Sequence, residues 1–296
     1  MIMKWRDIVL LLVPPVFLKV KKKLVVKKSF IAKPIPKIKR NSDKMIVIGN
    51  GPSFNQTYDL YKETLCSTEC TMVNESCLTP YYEIIRPVAY LLVDPVYFDE
   101  QNNPHYQQTR ISVVNALINK TKWKMNIIMP KCAKHCTAVA KFRENVNLQV
   151  LFYEDNHILP TNKSIYEAWD MNLVIPPTQT VMNTAVWISI YWGYLETYLV
   201  GVDTSFIKDI YVGQKDNILY TKDTHYFNND EVYDFELEPE KHGRKFGMDM
   251  EQLLRSVHTM FYEYKRLQEY SQWKNVKIYN ASEYSMIDCF TRKKLK

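Results

Sequence analysis

The sequence predicts a single α/β domain built around a mostly parallel β-sheet. Three observations lead to this prediction. The length of 296 residues suits one large domain, strand-like and helix-like segments alternate after residue 44, and polar residues recur where the strands end. Hydrophobic residues make up 46% of the chain, which is enough for a sizeable core, and no internal repeat is visible.

The predicted elements follow in chain order. Strand-like segments lie at 44–50, 70–76, 88–94, 124–130, 147–153, 196–203 and 275–282, and helical segments lie at 104–120, 178–194 and 249–272. The segment 178–194 is apolar nearly all round, so we expect it to be buried. The segment 249–272 carries apolar residues at helical spacing, which is typical of an amphipathic helix. A polar, tyrosine-rich stretch covers 204–247.

Polar side chains stand at the ends of four predicted strands, and they are Asn50, Asn74, Asp94 and Asp203. The carboxyl ends of parallel strands share one edge of a sheet, and doubly wound folds bind ligands in the crevice there. Asn and Asp also end strands for purely local reasons, so the prediction depends on the whole set. Together the four side chains predict a ligand site.

The turn after the first strand, Gly49-Asn50-Gly51-Pro52-Ser53, is a candidate nucleotide-binding turn. Glycines let the backbone approach a phosphate closely, and a helix that begins after the turn would direct N–H groups at it. Asn50 is suited to bond a base, a ribose or a phosphate. The turn lacks the third glycine of the G-x-G-x-x-G motif and the Gly-Lys-Ser/Thr of a Walker A loop, so it matches neither motif.

The net charge of +7 belongs to the N-terminal arm. Residues 1–44 contain 13 Lys or Arg and two acids, whereas the remainder contains 26 basic and 30 acidic residues. The mildly acidic body is not typical of a nucleic-acid-binding protein.

The arm joins an apolar run, 8–18, to a group of lysines. This run is shorter than the roughly 20 residues that span a bilayer, it contains Pro14-Pro15, and no signal-peptide cleavage site follows. We expect the arm to bind an anionic membrane surface, with 32–44 as a linker to the folded domain. A disordered basic tail is the alternative.

The six cysteines show no secretory pattern. Cys132 and Cys136 flank His135, but a gap of three residues without a second tight pair is not typical of a zinc cluster. We therefore expect reduced thiols in a reducing cytoplasm, and no metal site.

In this order, the pieces resemble the bacterial sialyltransferases of glycosyltransferase family 42, and the wider group that shares their nucleotide-binding core, which includes pterin pyrophosphokinase-like proteins. The resemblance covers roughly 45–292, with gaps. It implies one Rossmann-like domain over 45–296, a variant of the GT-A type, with a small lid at about 204–247. The matching segments are VIGNGPS, MVNESCL, AYLLVDPVYF, TQTVMNTAVWISIYWGYLETYLVGVD, THYF and IYNASEYSMIDCFTR.

The resemblance also implies how a CMP-activated sugar binds. Asn50 and Gly51 would hold the phosphate and ribose, and Asn74 stands where the family has a donor-binding Asn. Asp94 replaces another family Asn and brings a negative charge near the donor. Of the family segment Arg-Ile-Thr-Ser-Gly, only Thr180 remains in the sequence TQTVM.

Catalytic roles follow from the same resemblance. Tyr211 falls where a family tyrosine hydrogen-bonds the leaving phosphate, and Tyr226 would be its partner. The family base is the second histidine of a His-Tyr-x-x-His motif, but Asn229 stands at that position here. His225 is the residue we favour for this role, and His242 is the alternative from the lid.

We therefore expect an inverting, metal-independent glycosyltransferase that needs no cofactor beyond its CMP-sugar donor. Histidine suits the deprotonation of an acceptor hydroxyl, and tyrosine hydroxyls suit the stabilisation of a leaving phosphate. The expected location is the inner face of a bacterial cytoplasmic membrane, where the enzyme builds a surface glycan such as lipopolysaccharide on a glycan or lipid-linked acceptor. Nucleic acid is not an expected partner, and homo-oligomerisation is left open.

Two other functions stay open. One is a pyrophosphokinase-like phosphotransferase, in which Asp94 and Asp203 would bind Mg²⁺. The other is an inactive nucleotide-binding scaffold, which the missing second histidine favours.

Overall fold

The computed structural model describes residues 34–101, 104–154, 164–172, 174–177, 179–215, 217–222, 225–227, 234–236 and 249–296. The strands are β1 (Lys44–Ile48), β2 (Cys70–Val73), β3 (Ala89–Leu91), β4 (Met125–Pro130), β5 (Leu148–Tyr153), β6 (Glu196–Val200), β7 (Tyr211–Val212), β8 (Leu219–Lys222), β9 (Asp234–Glu236), β10 (Lys277–Asn280) and β11 (Thr291–Arg292). The helices are α1 (Ser53–Ser67), α2 (Tyr81–Ile85), α3 (Gln107–Lys120), α4 (Thr137–Phe142), α5 (Ser164–Asp170), α6 (Val181–Trp192) and α7 (Met250–Trp273).

Eight strands form one sheet in the order β11-β10-β6-β1-β2-β3-β4-β5, and every neighbouring pair is parallel. The chain starts in the middle, builds outward from β1 to β5, and then returns to the other side of β1 with β6. This is a doubly wound, Rossmann-like sheet, with its topological switch point between β1 and β6. The predicted α/β fold is confirmed.

Alternation along β1 shows how the two faces of the sheet are covered. Ile46 and Ile48 pack into the core formed with α1 to α4, whereas Met45 and Val47 pack into the core formed with α5 to α7. Parallel crossovers in a sheet are right-handed, so a chain that reverses direction at β1 must place its later helices on the opposite face.

The two long helices predicted from sequence are present. All residues of α6 from Met182 to Trp192 are buried, as expected for a helix that is apolar nearly all round. Helix α7 is amphipathic, and Asp249 caps its first turn in a capping box with Gln252. Within the predicted lid, β7, β8 and β9 form a small antiparallel sheet.

The stretch predicted as a linker packs along the amino edge of the sheet, where the strands begin. Ile35 is buried, and its N–H donates to Asn172 Oδ1 at 2.7 Å. The Tyr191 hydroxyl donates to the Ile35 carbonyl at 2.8 Å, and Trp192 Nε1 donates to the Pro36 carbonyl at 3.1 Å. The stretch from residue 34 is therefore fixed at the end of α6.

Residues 1–33, which include the apolar run 8–18 of the predicted arm, lie outside the described residues. Among the residues that are described, no helix combines the length and the apolar character that crossing a bilayer requires.

The turns after β1 and β6 interlock at the switch point. Gly49 N–H donates to the Val200 carbonyl and Gly51 N–H donates to the Gly201 carbonyl, each at 2.8 Å. A Cβ at Gly51 would lie 2.5 Å from Asp203 Cγ and 2.7 Å from the Gly201 carbonyl oxygen. The glycines of this turn therefore permit contact between two backbones.

We predict that Gly51→Ala lowers the free energy of unfolding by roughly 1–3 kcal/mol, because the added methyl group overlaps Asp203 and backbone atoms that cannot move independently. Urea denaturation measures the change. Gly193→Asn is the control for backbone strain without overlap, since Gly193 has a left-handed φ of 87°, which strains any side chain, whereas a Cβ there would lie 3.9 Å from its nearest neighbour. Equal stability of Gly51→Ala and the wild type would contradict the interlocking described above.

Candidate functional site

The polar residues predicted to end strands all lie at the carboxyl edge of the sheet. Asn50 follows β1, Asn74 follows β2, Asp94 follows β3 and Asp203 follows β6. Thr180 joins them at this edge, because it is the N-cap of α6, which runs antiparallel to the strands.

Three segments meet at Asn50. Its Oδ1 accepts a hydrogen bond from Ser76 Oγ at 2.6 Å, and its carbonyl accepts from the Tyr226 N–H at 3.0 Å. The Tyr226 carbonyl in turn accepts from Asn55 Nδ2 at 3.0 Å. We call Asn50, Asn74, Ser76 and Tyr226 the Asn50 cluster. Asn74 is included because it shares one short 3₁₀ turn with Ser76. The sequence contained no signal for Ser76 or Asn55.

Asn74 presents a side-chain oxygen without a protein partner. The residue has a left-handed φ of 54°, which asparagine tolerates better than most residues. Its carbonyl accepts from the buried Tyr90 hydroxyl at 2.5 Å, which holds the turn in place. Asn74 Oδ1 is buried, and no described residue donates to it. A buried acceptor without a donor is costly, so this atom is a candidate ligand contact.

Tyr226 is enclosed by aromatic rings. Its ring centroid lies 4.6 Å from that of Phe54 and 5.7 Å from that of Tyr81, and only 2% of the residue is exposed. Burial raises the pKa of its phenol, and the neighbouring Ser76 and Thr79 hydroxyls partly oppose this. The Tyr226 hydroxyl makes no hydrogen bond of ordinary geometry with a described residue. It is a second buried polar group without a described hydrogen-bond partner.

His225 directly precedes Tyr226, so the hydrogen bond from Tyr226 to Asn50 places it beside the Asn50 cluster. The imidazole is half-buried, and its centroid lies 5.1 Å from the Phe227 ring. The alternative base, His242, lies outside the described residues.

The Asp203 carboxylate accepts hydrogen bonds at the start of α1. It is 2% exposed, its Oδ2 accepts from the Ser53 N–H at 2.7 Å, and its Oδ1 accepts from Ser53 Oγ. Burial raises the pKa of this carboxyl, and the two bonds from Ser53 oppose the rise. The Phe54 N–H donates to the Gly51 carbonyl at 3.0 Å. Two N–H groups at this helix start, expected to face a phosphate, are thus satisfied within the protein.

Asp94 is exposed and accepts from the Val96 N–H at 3.1 Å, which caps a short turn. In that turn the buried Tyr97 hydroxyl donates to Glu75 Oε1 at 2.5 Å. Burial raises the pKa of Tyr97 first, followed by the charges of Glu75 and Asp94. Two carboxylates therefore lie on the β3 side of Asn74.

Thr180 serves as a helix cap on the opposite face of the sheet. Its hydroxyl donates to Asn183 Oδ1 at 2.9 Å in a capping box. The neighbouring Gln179 N–H donates at 3.2 Å to Glu263 Oε2, on the middle of α7. Glu263 is 1% exposed, and no described residue donates to its Oε1. Burial raises its pKa to about 8, against the lowering effect of the Gln179 N–H.

Tyr211 lies apart from these contacts. It is 46% exposed on β7, and its ring stacks on Tyr220 with the centroids 5.3 Å apart. No hydrogen bond or ring contact among the described residues joins Tyr211 to the Asn50 cluster. Its expected role at a leaving phosphate stays a prediction.

Within the described part of the chain, no three His, Cys, Asp or Glu side chains are grouped as metal ligands. Among the described residues, the arrangement at the carboxyl edge offers amides, hydroxyls, the carboxylates of Glu75 and Asp94, and the imidazole of His225. These groups can bind a polar ligand through hydrogen bonds and accept a proton from it.

Neither a protein-family model nor a curated protein sequence matches the chain. In structure it is similar to the MAf glycosyltransferase from Magnetospirillum magneticum AMB-1, with a TM-score of 0.48 and 12% identity over 88% of this chain and 35% of that one. The chain thus spans about a third of that protein's length.

It is also similar to the monofunctional alpha-2,3-sialyltransferase Cst-I from Campylobacter jejuni, with a TM-score of 0.40 and 16% identity over 85% of this chain and 80% of that one. Both structural neighbours are glycosyltransferases. Because both TM-scores are below 0.5, neither likeness bears on the activity of this chain.

Glu263 makes the stability of the fold depend on pH. Its pKa is about 8 in the folded state against 4.5 for an unperturbed group. The folded state therefore retains a proton that the unfolded chain releases. The contribution of the protonated Glu263 carboxyl to the free energy of unfolding is fully present below pH 4.5 and is lost as the pH rises through 8. Glu263→Gln has no proton to lose. We expect its stability relative to the wild type to rise by roughly 2–4 kcal/mol between pH 5 and pH 9.

Urea denaturation across this pH range measures the difference. Glu251→Gln on the same helix is the control, because its side chain is 64% exposed and its loss changes little at any pH. Parallel pH profiles for Glu263→Gln and the wild type would show that Glu263 is already ionised in the folded protein.

Proposed function

We propose that the protein is a glycosyltransferase that transfers sialic acid or a related sugar from a CMP-activated donor with inversion and without a metal. One observation carries the proposal. The Asn50 cluster gathers amide and hydroxyl groups at the carboxyl edge of a doubly wound sheet, and two of its buried polar atoms, Asn74 Oδ1 and the Tyr226 hydroxyl, have no described protein partner. Sites of this kind bind nucleotides at the strand ends.

In this proposal the amides of Asn50 and Asn74 hold the donor, with Gly51 allowing close approach of the backbone. His225 accepts the proton of the acceptor hydroxyl as its oxygen attacks the anomeric carbon. The bond from that carbon to the phosphate oxygen breaks, and CMP leaves with the electron pair. The neutral Tyr226 hydroxyl, whose raised pKa keeps it protonated, donates to the leaving phosphate.

The proposal includes the partners expected from sequence. They are a nucleotide sugar, a glycan or lipid-linked acceptor of a bacterial surface polysaccharide, and an anionic membrane surface bound by the N-terminal arm. The peripheral position on the cytoplasmic membrane rests on the sequence of that arm alone.

A Mg²⁺-dependent phosphotransferase is the second candidate. The carboxylates of Glu75 and Asp94 near Asn74 favour it, since carboxylates are the ligands that bind Mg²⁺. The contacts of Asp203 oppose it, because both oxygens of this expected ligand accept from Ser53. An inactive scaffold is the third candidate, and it would bind CMP without turning over any CMP-sugar.

We predict that Asn74→Gly weakens CMP binding about tenfold, the loss expected from one hydrogen bond to the ligand. Isothermal titration calorimetry measures the affinity. Asn275→Gly is the matched control, because Asn275 has nearly the same left-handed φ, 56° against 54°, and lies before β10 at the opposite edge. Each titration is run with EDTA and with Mg²⁺. Tight ATP binding that requires Mg²⁺, with no binding of CMP, would favour the phosphotransferase instead.

We predict that His225→Ala lowers sugar transfer by a factor of about 10² or more, because a general base is lost, while CMP affinity stays within about twofold. Mass spectrometry of products from a panel of nucleotide sugars measures turnover. His258→Ala is the control, since His258 lies exposed on α7 and stacks only on Tyr262 among described rings. Full activity of His225→Ala would remove His225 from the proposed role.

A further inference from the structure

An open hollow lies next to the Asn50 cluster, and the roles given so far do not use it. Its volume is about 450 Å³, within the range of small-molecule sites. Its walls are Asn55 at the start of α1, residues 78–81 at the start of α2, and Tyr226 with Phe227. We call it the α1–α2 hollow.

The walls of the α1–α2 hollow combine aromatic faces with fixed polar groups. Tyr81 is partly exposed, and its hydroxyl donates to Asn55 Oδ1 at 3.1 Å. Asn55 Nδ2 donates to the Tyr226 carbonyl, so the amide is held between two pocket residues. Aromatic faces pack well against apolar surfaces of a ligand, and an oriented amide pairs with hydroxyl groups. Saccharide rings present both kinds of surface.

Two walls of the hollow, Tyr226 and Phe227, directly follow His225 in the chain. Phe227, one of its walls, lies 5.1 Å from the His225 ring between centroids. Tyr226, another wall, is hydrogen-bonded to Asn50 through its N–H and carries a buried hydroxyl without a described partner. A molecule seated in the hollow would therefore contact Tyr226 and Phe227, the two residues that follow His225.

The charge of the walls narrows the class of ligand. No described lining residue carries a charge. Burial raises the pKa of the Tyr81 phenol first, and the charge of Asp59 raises it further. The nearby ammonium of Lys120 donates to the Cys77 and Leu78 carbonyls at 2.9 and 3.4 Å. No lining side chain in the described part of the chain offers a cation to an anionic ligand, which would lose hydration here, so a neutral ligand is favoured.

We propose that the α1–α2 hollow is the acceptor subsite and that it binds a neutral saccharide, with the reacting hydroxyl directed at His225. This inference rests on the proposed glycosyltransferase function and adds the class of acceptor to it. The donor would lie over Asn50 and Asn74, and the acceptor over Asn55 and Tyr81, on either side of Tyr226.

A steric pair of variants tests the subsite. Leu78 lines the hollow and Ile84 does not, yet both are 43% exposed. Leu78→Trp places a large ring at the hollow, and Ile84→Trp makes the same change on the outer surface of α2. Saccharide binding to the full chain is followed by saturation-transfer NMR with methyl β-glucoside and lactose as neutral probes and glucuronate as the anionic probe. CMP binding is measured in parallel by calorimetry.

We expect the wild type and Ile84→Trp to bind the neutral probes in preference to glucuronate, and Leu78→Trp to bind them about tenfold more weakly. Both variants should bind CMP as the wild type does. Undiminished saccharide binding by Leu78→Trp, a preference for glucuronate, or no saccharide binding by a wild type that binds CMP would each overturn the subsite. A further outcome is that the protein does not bind CMP but does bind the neutral saccharides, and that Leu78→Trp weakens this binding. That result would uphold the subsite and refute the proposed donor.

Discussion

The hydrogen bonds from Ser53 to Asp203, with the glycine contacts beside them, join the turn after β1 to the turn after β6. This junction fixes the direction in which Asn50 leaves the sheet. The Asn50 carbonyl then binds the Tyr226 N–H, and that bond positions the neighbouring His225. The candidate site is therefore organised from the switch point outward, and the carboxylate that stabilises it is an internal part of the fold.

The sequence predicted those features that depend on local periodicity. The strands before Asn50 and Asn74 are short apolar runs, and α6 and α7 differ in the distribution of their apolar residues, so each could be recognised from its own residues. The edge at which the polar strand ends meet follows from the parallel sheet alone. For the same reason Asn50, Asn74, Asp94 and Asp203 could be assigned to one edge from the sequence, whereas their role in binding stays a prediction.

Contacts between distant segments could not be predicted in this way. Ser76 lies 26 residues from Asn50, Asn55 lies 171 residues from Tyr226, and Gln179 lies 84 residues from Glu263. No periodicity within one element encodes such pairs. Asp203 shows the same limit, because its position at a strand end suggests a ligand contact, whereas its carboxylate faces inward to Ser53.

The position of the stretch from residue 34 to β1 determines which edge of the sheet would face a surface bound by the preceding residues. Ile35 and Pro36 are fixed to the end of α6, at the edge where the strands start, and the Asn50 cluster lies where they finish. A five-residue strand is about 17 Å long. A tether attached ahead of residue 34 would thus leave from the amino edge of the sheet, at the opposite end of the strands from the Asn50 cluster. If the chain ahead of residue 34 were bound to a flat surface, the Asn50 cluster would face away from that surface. It would then meet the distal end of a polymer anchored in the same surface.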